Sequence, residues 1–264
     1  MDNHQPIGVF DSGVGGLSVL DHIHQLLPAE QLIYVADSAF MPYGSQSPEM
    51  IIERSQLITR FFVEQGVKAV VVACNTATAA AIASLRETFP LPIIGMEPAV
   101  KPAVEATRVG VIGVLATSGT LSSEKFSRLV ARFDSHAEVV FQSGVGLVEQ
   151  VEAGALEGEK TEALLQEHLA PLLERGVDAL VLGCTHYPFL APAIRKIVGE
   201  DVSVLDTGEA IAVELKRQLE RSQQLAVEGS GKVSFFSSGD IESVEPMMSR
   251  LWGRVVQVQP LKIG

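Results

Sequence analysis

A strand that stops at a thiol occurs twice in this chain. Gly66 to Thr76 reads Gly-Val-Lys-Ala-Val-Val-Val-Ala-Cys-Asn-Thr, and Gly176 to His186 reads Gly-Val-Asp-Ala-Leu-Val-Leu-Gly-Cys-Thr-His. A branched apolar run that ends abruptly in small and polar residues is the pattern of a buried parallel strand whose C-terminal end opens into a loop carrying chemistry. Cys74 and Cys184 are the only cysteines in the sequence, so they occupy corresponding strand ends of two related units. The repeat extends upstream. Ile7-Gly8-Val9-Phe10-Asp11-Ser12-Gly13 is echoed by Gly113-Val114-Leu115-Ala116-Thr117-Ser118-Gly119, with Ser12 over Ser118 and Gly13 over Gly119. Downstream of each cysteine a short apolar strand follows, Ile93 to Gly95 and Val202 to Leu205, leading to Glu97 and Asp206. Two such units facing each other across a pseudo-twofold axis point their strand ends into one cleft and bring the two thiols in from opposite sides.

Helical and strand patterns alternate along 264 residues, 47% of them hydrophobic and 20% charged. That predicts an α/β fold of two pseudo-symmetric domains, each a mostly parallel sheet flanked by helices, with the active site in the cleft between them. No apolar run approaches the ~20 residues that span a bilayer. The start, Met-Asp-Asn-His-Gln-Pro, lacks the basic and apolar regions of a secretory signal, so a cytoplasmic protein without a membrane partner is expected. A formal charge of −12 with no Lys/Arg cluster argues against nucleic acid as a partner. Two cysteines in such a chain do not suggest a disulfide framework.

In chain order, Ile7 to Phe10 is the first strand and Asp11 to Gly16 a glycine-rich turn before a helix over Leu17 to Leu27. The spacing of Gly13, Gly15 and Gly16 fits neither a P-loop nor G-x-G-x-x-G, so a small carboxylate is a better guest than a nucleotide. A second strand, Leu32 to Ala36, ends at Asp37 and is followed by a loop containing Pro42-Tyr43-Gly44. Helices are expected over Pro48 to Gln65 and Ala77 to Phe89. Glu97-Pro98 is the crossover into the second unit, with strands at Val109 to Leu115 and Ala137 to Phe141 and helices near Ser122 to Arg132, at Leu147 to Glu152 and over Glu159 to Arg175. After Asp206 come a helix over Glu209 to Gln224, strands at Val233 to Phe236 and Val255 to Val258, and a helix including Trp252. This last part has no counterpart in the repeat and returns to the first domain, which gives boundaries of 1–97 plus 207–264 and 98–206. Trp252 reads as core, and His4, His22, His24, His136 and His168 as surface or packing residues.

Several chemistries compete for Cys74 and Cys184. They are inert core thiols, or zinc ligands together with His186 and an acid, although close-spaced ligand pairs are missing. They are a redox pair, although such pairs usually lie close in sequence. Or they work as acid and base on both faces of a planar intermediate, since a thiol titrating near ~8.5 serves in either protonation state. On the last reading the helix following Cys74 favours its thiolate through the positive end of the macrodipole. His186 serves Cys184, and Asp11 and His186 tune or shuttle the protons.

Phe-Asp-Ser-Gly-Val-Gly-Gly-Leu-Ser at 10–18, Pro-Tyr-Gly at 42–44, Ala-Cys-Asn-Thr-Ala at 73–77 and Leu-Gly-Cys-Thr-His-Tyr-Pro at 182–188 together resemble the glutamate racemase family of the cofactor-independent aspartate/glutamate racemase superfamily, over nearly the whole chain. The resemblance implies interconversion of L- and D-glutamate, supplying the D-isomer for peptidoglycan, with aspartate racemisation or an amino-acid binding protein as alternatives. It implies Cys74 and Cys184 as the acid/base pair, assisted by Asp11 and His186, with Glu152 helping the second half. Asp11, Ser12, Tyr43, Gly44, Asn75, Thr76, Thr117, Thr185 and His186 would hold the substrate. No metal and no cofactor, pyridoxal phosphate included, is expected. Family members often form homodimers and some respond to a peptidoglycan precursor. Where the family commonly has Cys-Pro ahead of the Glu152 helix, this chain has Gly144-Val145. Lys and Arg are absent from Met1 to Glu53 and from Leu180 to Ile194, so backbone N–H groups and hydroxyls would hold the carboxylates.

Overall fold

The short branched runs become strands because each is too brief for a helix and is closed by glycine, proline or polar residues. The computed structural model describes residues 3–133 and 135–263. Met1 and Asp2, at the start of the segment read for a signal, and Gly264, the end of the expected first domain, lie outside the described residues, as does Asp134. The strands are β1 (Ile7–Asp11), β2 (Leu32–Ala36), β3 (Ala69–Val72), β4 (Ile93–Gly95), β5 (Val111–Ala116), β6 (Glu138–Ser143), β7 (Ala179–Gly183), β8 (Ser203–Leu205), β9 (Val233–Ser237) and β10 (Val258–Pro260). One sheet runs β10-β9-β2-β1-β3-β4 and the other β6-β5-β7-β8, and every pairing is parallel.

The order β2-β1-β3-β4 in the first sheet matches β6-β5-β7-β8 in the second, so the duplication read in the sequence is a duplication of topology. β9 and β10 have no counterpart and extend the first sheet beyond β2. β1, β2, β3 and β7 are buried at every position, as in parallel sheets covered by helices on both faces. Alternation then divides each strand between two apolar layers. Ile7, Val9, Ala69 and Val71 face one layer, and Phe10, Val70 and Val72 the other. In the second sheet Leu115, Leu180 and Leu182 face one layer, and Ile112, Val114, Ala179 and Val181 the other. The fold is α/β, with two mostly parallel sheets flanked by helices.

Three local features differ from the sequence expectation. Helices at Val100–Ala106 and Ser118–Leu121 were not expected, because each is too short to show a 3.6-residue period and the first contains Pro102. The helix after the first thiol starts at Asn75, with Cys74 itself as its N-cap. The last strand begins at Val258, where pairing with Phe235 of β9 starts, and Val255 before it is 92% exposed. At that sheet edge Pro260 is tolerated, because its missing N–H faces no partner strand.

A buried ion pair fastens the C-terminal return to the first sheet. Lys68 Nζ lies 2.6 Å from Glu30 Oε2, with both side chains about 1% exposed, and it also donates to the carbonyls of Asn3 and Gln224. Glu30 Oε1 accepts from the Ala226 N–H. Removing one member leaves the other charge buried and uncompensated. Lys68→Met is therefore expected to lower the unfolding free energy by about 3–5 kcal/mol in denaturant titrations, and the Lys68→Met/Glu30→Met double variant by less than the single one.

Candidate functional site

The site is assembled from strand ends. β1 delivers Asp11, whose carboxylate folds the following turn around itself: Oδ1 accepts from the Ser12 N–H and Oδ2 from the Gly16 N–H, both at 2.6 Å. From below, the Tyr34 hydroxyl donates to the Gly13 carbonyl at 2.7 Å. β3 delivers Cys74, whose Sγ accepts from the Ala77 N–H at 3.4 Å. β5 leads to Thr117, which caps Ser118–Leu121. β7 delivers Cys184, Thr185 and His186, with Cys184 Sγ 3.7 Å from His186 Nδ1.

Across the cleft the two halves are joined by short polar contacts. Thr185 Oγ1 donates to Asp11 Oδ2 at 3.1 Å, Ser18 Oγ to the Thr185 carbonyl at 2.9 Å, and the Thr76 and Thr117 hydroxyls are 2.9 Å apart. Glu152 Oε1 accepts from the Val14 N–H at 2.8 Å and lies 2.7 Å from His186 Nε2. Only glycine permits this approach. A Cβ on Gly13 would overlap the Glu152 carboxylate, and one on Gly15 the His186 ring.

Both thiols line one cavity between the halves, together with Ser12, Tyr43, Gly44, Asn75, Thr76, Thr117, Thr185 and His186. Asp11 and Glu152 stand immediately behind this surface, Asp11 under Ser12 and Thr185, and Glu152 behind His186. The Tyr43 hydroxyl is bonded to Asp37 at 2.6 Å. Three lining residues are not among the substrate-binding residues named from the sequence: Pro42 and Gly183, which lie inside the quoted motifs, and Val148. Val148 belongs to the apolar helical face of Leu147 and Val151, and of these three it alone reaches the cavity while the other two pack in the core. The Asn75 amide is buried with neither its nitrogen nor its oxygen hydrogen-bonded, so a polar guest has a partner waiting. No lysine or arginine lines the cavity among the described residues, and no group of three or more His, Cys, Asp and Glu there is placed to hold a metal. The inner chamber has only about 10 Å³ of free volume, the size of a single water. It adjoins a vestibule of about 110 Å³ lined in part by Gly44, Thr117, Ser118 and Ser143. As it stands, the inner chamber is smaller than an amino acid.

The Gly144-Val145 departure has a defined conformation. The Gly144 carbonyl accepts from the Tyr187 hydroxyl at 3.1 Å, and the Val145 carbonyl lies 2.8 Å from His168 Nε2. His168 is thus a packing residue, as is His24, whose ring packs at a 47° tilt against the core residue Trp252.

Burial sets the electrostatics. It pushes the Cys74 thiol well above the ordinary range, and the adjacent Asp11 carboxylate adds to the effect. The sequence expectation that the helix N-terminus lowers the acidity barrier at Cys74 is therefore corrected: the Ala77 N–H acts in that direction and is outweighed. Burial likewise raises the Asp11 carboxyl, against the nearby His186 and the Ser12 N–H. At His186 burial alone would lower the imidazole, but the hydrogen bonds to Cys184 and Glu152 and the charges there more than reverse it, leaving it well above the usual imidazole range.

The model of one family, the Asp/Glu/hydantoin racemases, matches residues 7–215. This chain belongs to that family. A glutamate racemase of Ectopseudomonas mendocina is 56% identical over 254 residues, 96% of this chain and 97% of that one. Among solved structures, the glutamate racemase isoform RacE1 from Bacillus anthracis superposes with a TM-score of 0.90 at 35% identity, covering 98% of each chain. The Escherichia coli glutamate racemase, solved with L-glutamate and the activator UDP-MurNAc-Ala, superposes with a TM-score of 0.87 at 33% identity over 98% of this chain and 99% of that one. The solved glutamate racemases thus share the two-sheet fold described above.

The raised His186 makes the stability of this racemase-family chain depend on pH. A folded-state value above the unfolded 6.5 means that its stabilisation is complete below about pH 6.5 and fades as pH rises through the higher folded-state value. In thermal melts between pH 6 and 9, the lead of the wild type over His186→Asn is expected to shrink as pH rises. A lead that holds or widens would contradict the assignment.

Proposed function

We propose that the chain is a glutamate racemase, an isomerase that interconverts L- and D-glutamate by removing the α-proton with one cysteine and returning a proton with the other. The observation that carries this reading is that Cys74 and Cys184, from corresponding strand ends of duplicated halves, line the same cavity. The relatives and solved neighbours named as glutamate racemases support the choice of substrate.

Inversion at the α carbon takes one group from each face. When Cys184 removes the proton, its sulfur stands beside an imidazole whose own proton is held by Glu152. When Cys74 donates, its thiol is held in the protonated form by burial and by Asp11. The reverse reaction exchanges the roles, and no resident cofactor enters the scheme. Asp11 acts on the Cys74 side, and His186 with Glu152 on the Cys184 side. The carboxylates of the substrate are held by neutral donors: the hydroxyls of Ser12, Thr76, Thr117 and Thr185, the Asn75 amide and the backbone around Gly44. Such fixed dipoles in a buried cavity also stabilise the charge that develops on the α-carboxylate as the proton leaves.

The proposal places the product in peptidoglycan synthesis in the cytoplasm, with boundaries of 1–97 plus 207–264 for one domain and 98–206 for the other. No helix among the described residues is long and apolar enough to cross a membrane. It also includes a homodimer and regulation by a peptidoglycan precursor, the latter suggested by the activator bound to the Escherichia coli structure. Circular dichroism of L-glutamate solutions is expected to decay to zero with the wild type. Cys74→Ala and Cys184→Ala should each be slower by about 10²–10⁴-fold or more, the usual worth of a positioned acid or base. Full activity without either sulfur refutes the scheme, tight binding with no loss of signal points to a binding protein, and faster decay with aspartate corrects the substrate.

A further inference from the structure

The loop that carries Tyr43 and Gly44 into the cavity is held from behind by a buried charge pair. Arg54, on the Pro48–Glu64 helix, grips Asp37 with two hydrogen bonds, Nε to Oδ2 at 3.0 Å and Nη2 to Oδ1 at 2.7 Å. The Tyr43 hydroxyl donates to the same Oδ2 at 2.6 Å. The Arg54 guanidinium carbon also lies 3.9 Å from the centre of the Phe40 ring, so a single side chain holds the loop at Asp37, Phe40 and, through Asp37, Tyr43. Asp37 and Tyr43 are essentially inaccessible and Arg54 is 8% exposed. The backbone N–H of Asp37 in turn donates to the Asp11 carbonyl at 2.9 Å, so the network abuts the residue beneath the Cys74 side of the cleft.

Burying an ion pair is a weak source of stability, because desolvation offsets much of the attraction and apolar residues of similar volume often serve as well. A two-pronged Arg–carboxylate bond does fix orientation. We propose that Arg54 is a positioning residue for the reaction, setting the Pro42–Gly44 wall of the cavity through Asp37 and the Tyr43 hydroxyl. The inference rests on the racemase reading of the site. Tyr43 then acts as a strut whose oxygen is spent on Asp37, and the substrate meets its ring and the neighbouring backbone. Burial and the Asp37 charge keep the Tyr43 phenol protonated far above the working range, in keeping with a strut rather than a base. At Arg54 the Asp37 bonds and charge outweigh burial and hold the guanidinium charged.

The test is steady-state racemisation of both enantiomers by the wild type, Arg54→Met, Tyr43→Phe and the double variant, with a melting temperature for each. A misplaced wall weakens binding, so KM for both enantiomers should rise about tenfold in Arg54→Met while kcat changes by less than about threefold, with a smaller rise in Tyr43→Phe. Because both act through one carboxylate, the double variant should be no worse than Arg54→Met. Arg54→Lys, which keeps the charge without the fork, should recover only part of the loss. Unchanged KM in Arg54→Met beside a lowered melting temperature, or strictly additive effects in the double variant, overturns the inference. If Arg54→Met does not fold, an unchanged KM in Tyr43→Phe overturns it. Absence of turnover by the wild type would overturn the racemase reading instead.

Discussion

The cleft depends on how closely the glycine-rich turn of one half approaches His186 and Glu152 of the other. No side chain intervenes, because a Cβ at Gly13 or Gly15 would occupy the place of the carboxylate or the ring. One oxygen of Glu152 serves both sides of this contact, taking the Val14 N–H from the first half and facing His186 in its own. Asp11 does the reverse, shaping its own turn while accepting from Thr185 across the cleft. Each half thus lends an acid to the closure of the other. Charge-assisted hydrogen bonds of this kind are short and directional, so closure and side-chain orientation are the same event.

That closure also buries the interior, and burial governs the protonation of the groups within it. In a medium of low effective dielectric, neighbouring charges act more strongly than in water. The two sides of the pocket differ in consequence. Around Cys74 there is burial and a carboxylate, both of which keep the thiol proton on. Around Cys184 there is an imidazole with a carboxylate at its Nε2 and the sulfur itself at its Nδ1. A duplicated scaffold has therefore acquired unlike surroundings for its two like residues. The asymmetry comes from the residues behind the surface, since the strands and their order are shared.

Much of this was legible in the sequence because it lies in short, contiguous stretches. The repeated strand with its terminal cysteine exposed the duplication, and the matching orders β2-β1-β3-β4 and β6-β5-β7-β8 are its physical form. What was hidden depends on contacts between distant residues. Val148 looked like ordinary packing on an amphipathic helix, because periodicity shows that a face is apolar and not what it faces. Arg54 is 17 residues from Asp37 and sits on a helix with no unusual pattern. The Cys74 thiol was expected to be activated by its helix terminus, an effect visible locally, whereas the burial that outweighs it is a property of the assembled fold. Val255 was read into the last strand because two valines adjoin there, yet its side chain projects into water.

The central claim is that two sulfurs address one carbon from opposite faces, and the most direct measurement is the early course of the reaction in deuterated water. Starting from one enantiomer and sampling before substantial conversion, mass spectrometry of the separated enantiomers reads the isotope at the α position. Two opposed groups with separate protons predict one deuterium in essentially every product molecule and almost none in the recovered starting enantiomer. Deuterium appearing equally in both enantiomers, or product that retains the original hydrogen, would mean that a single group serves both faces.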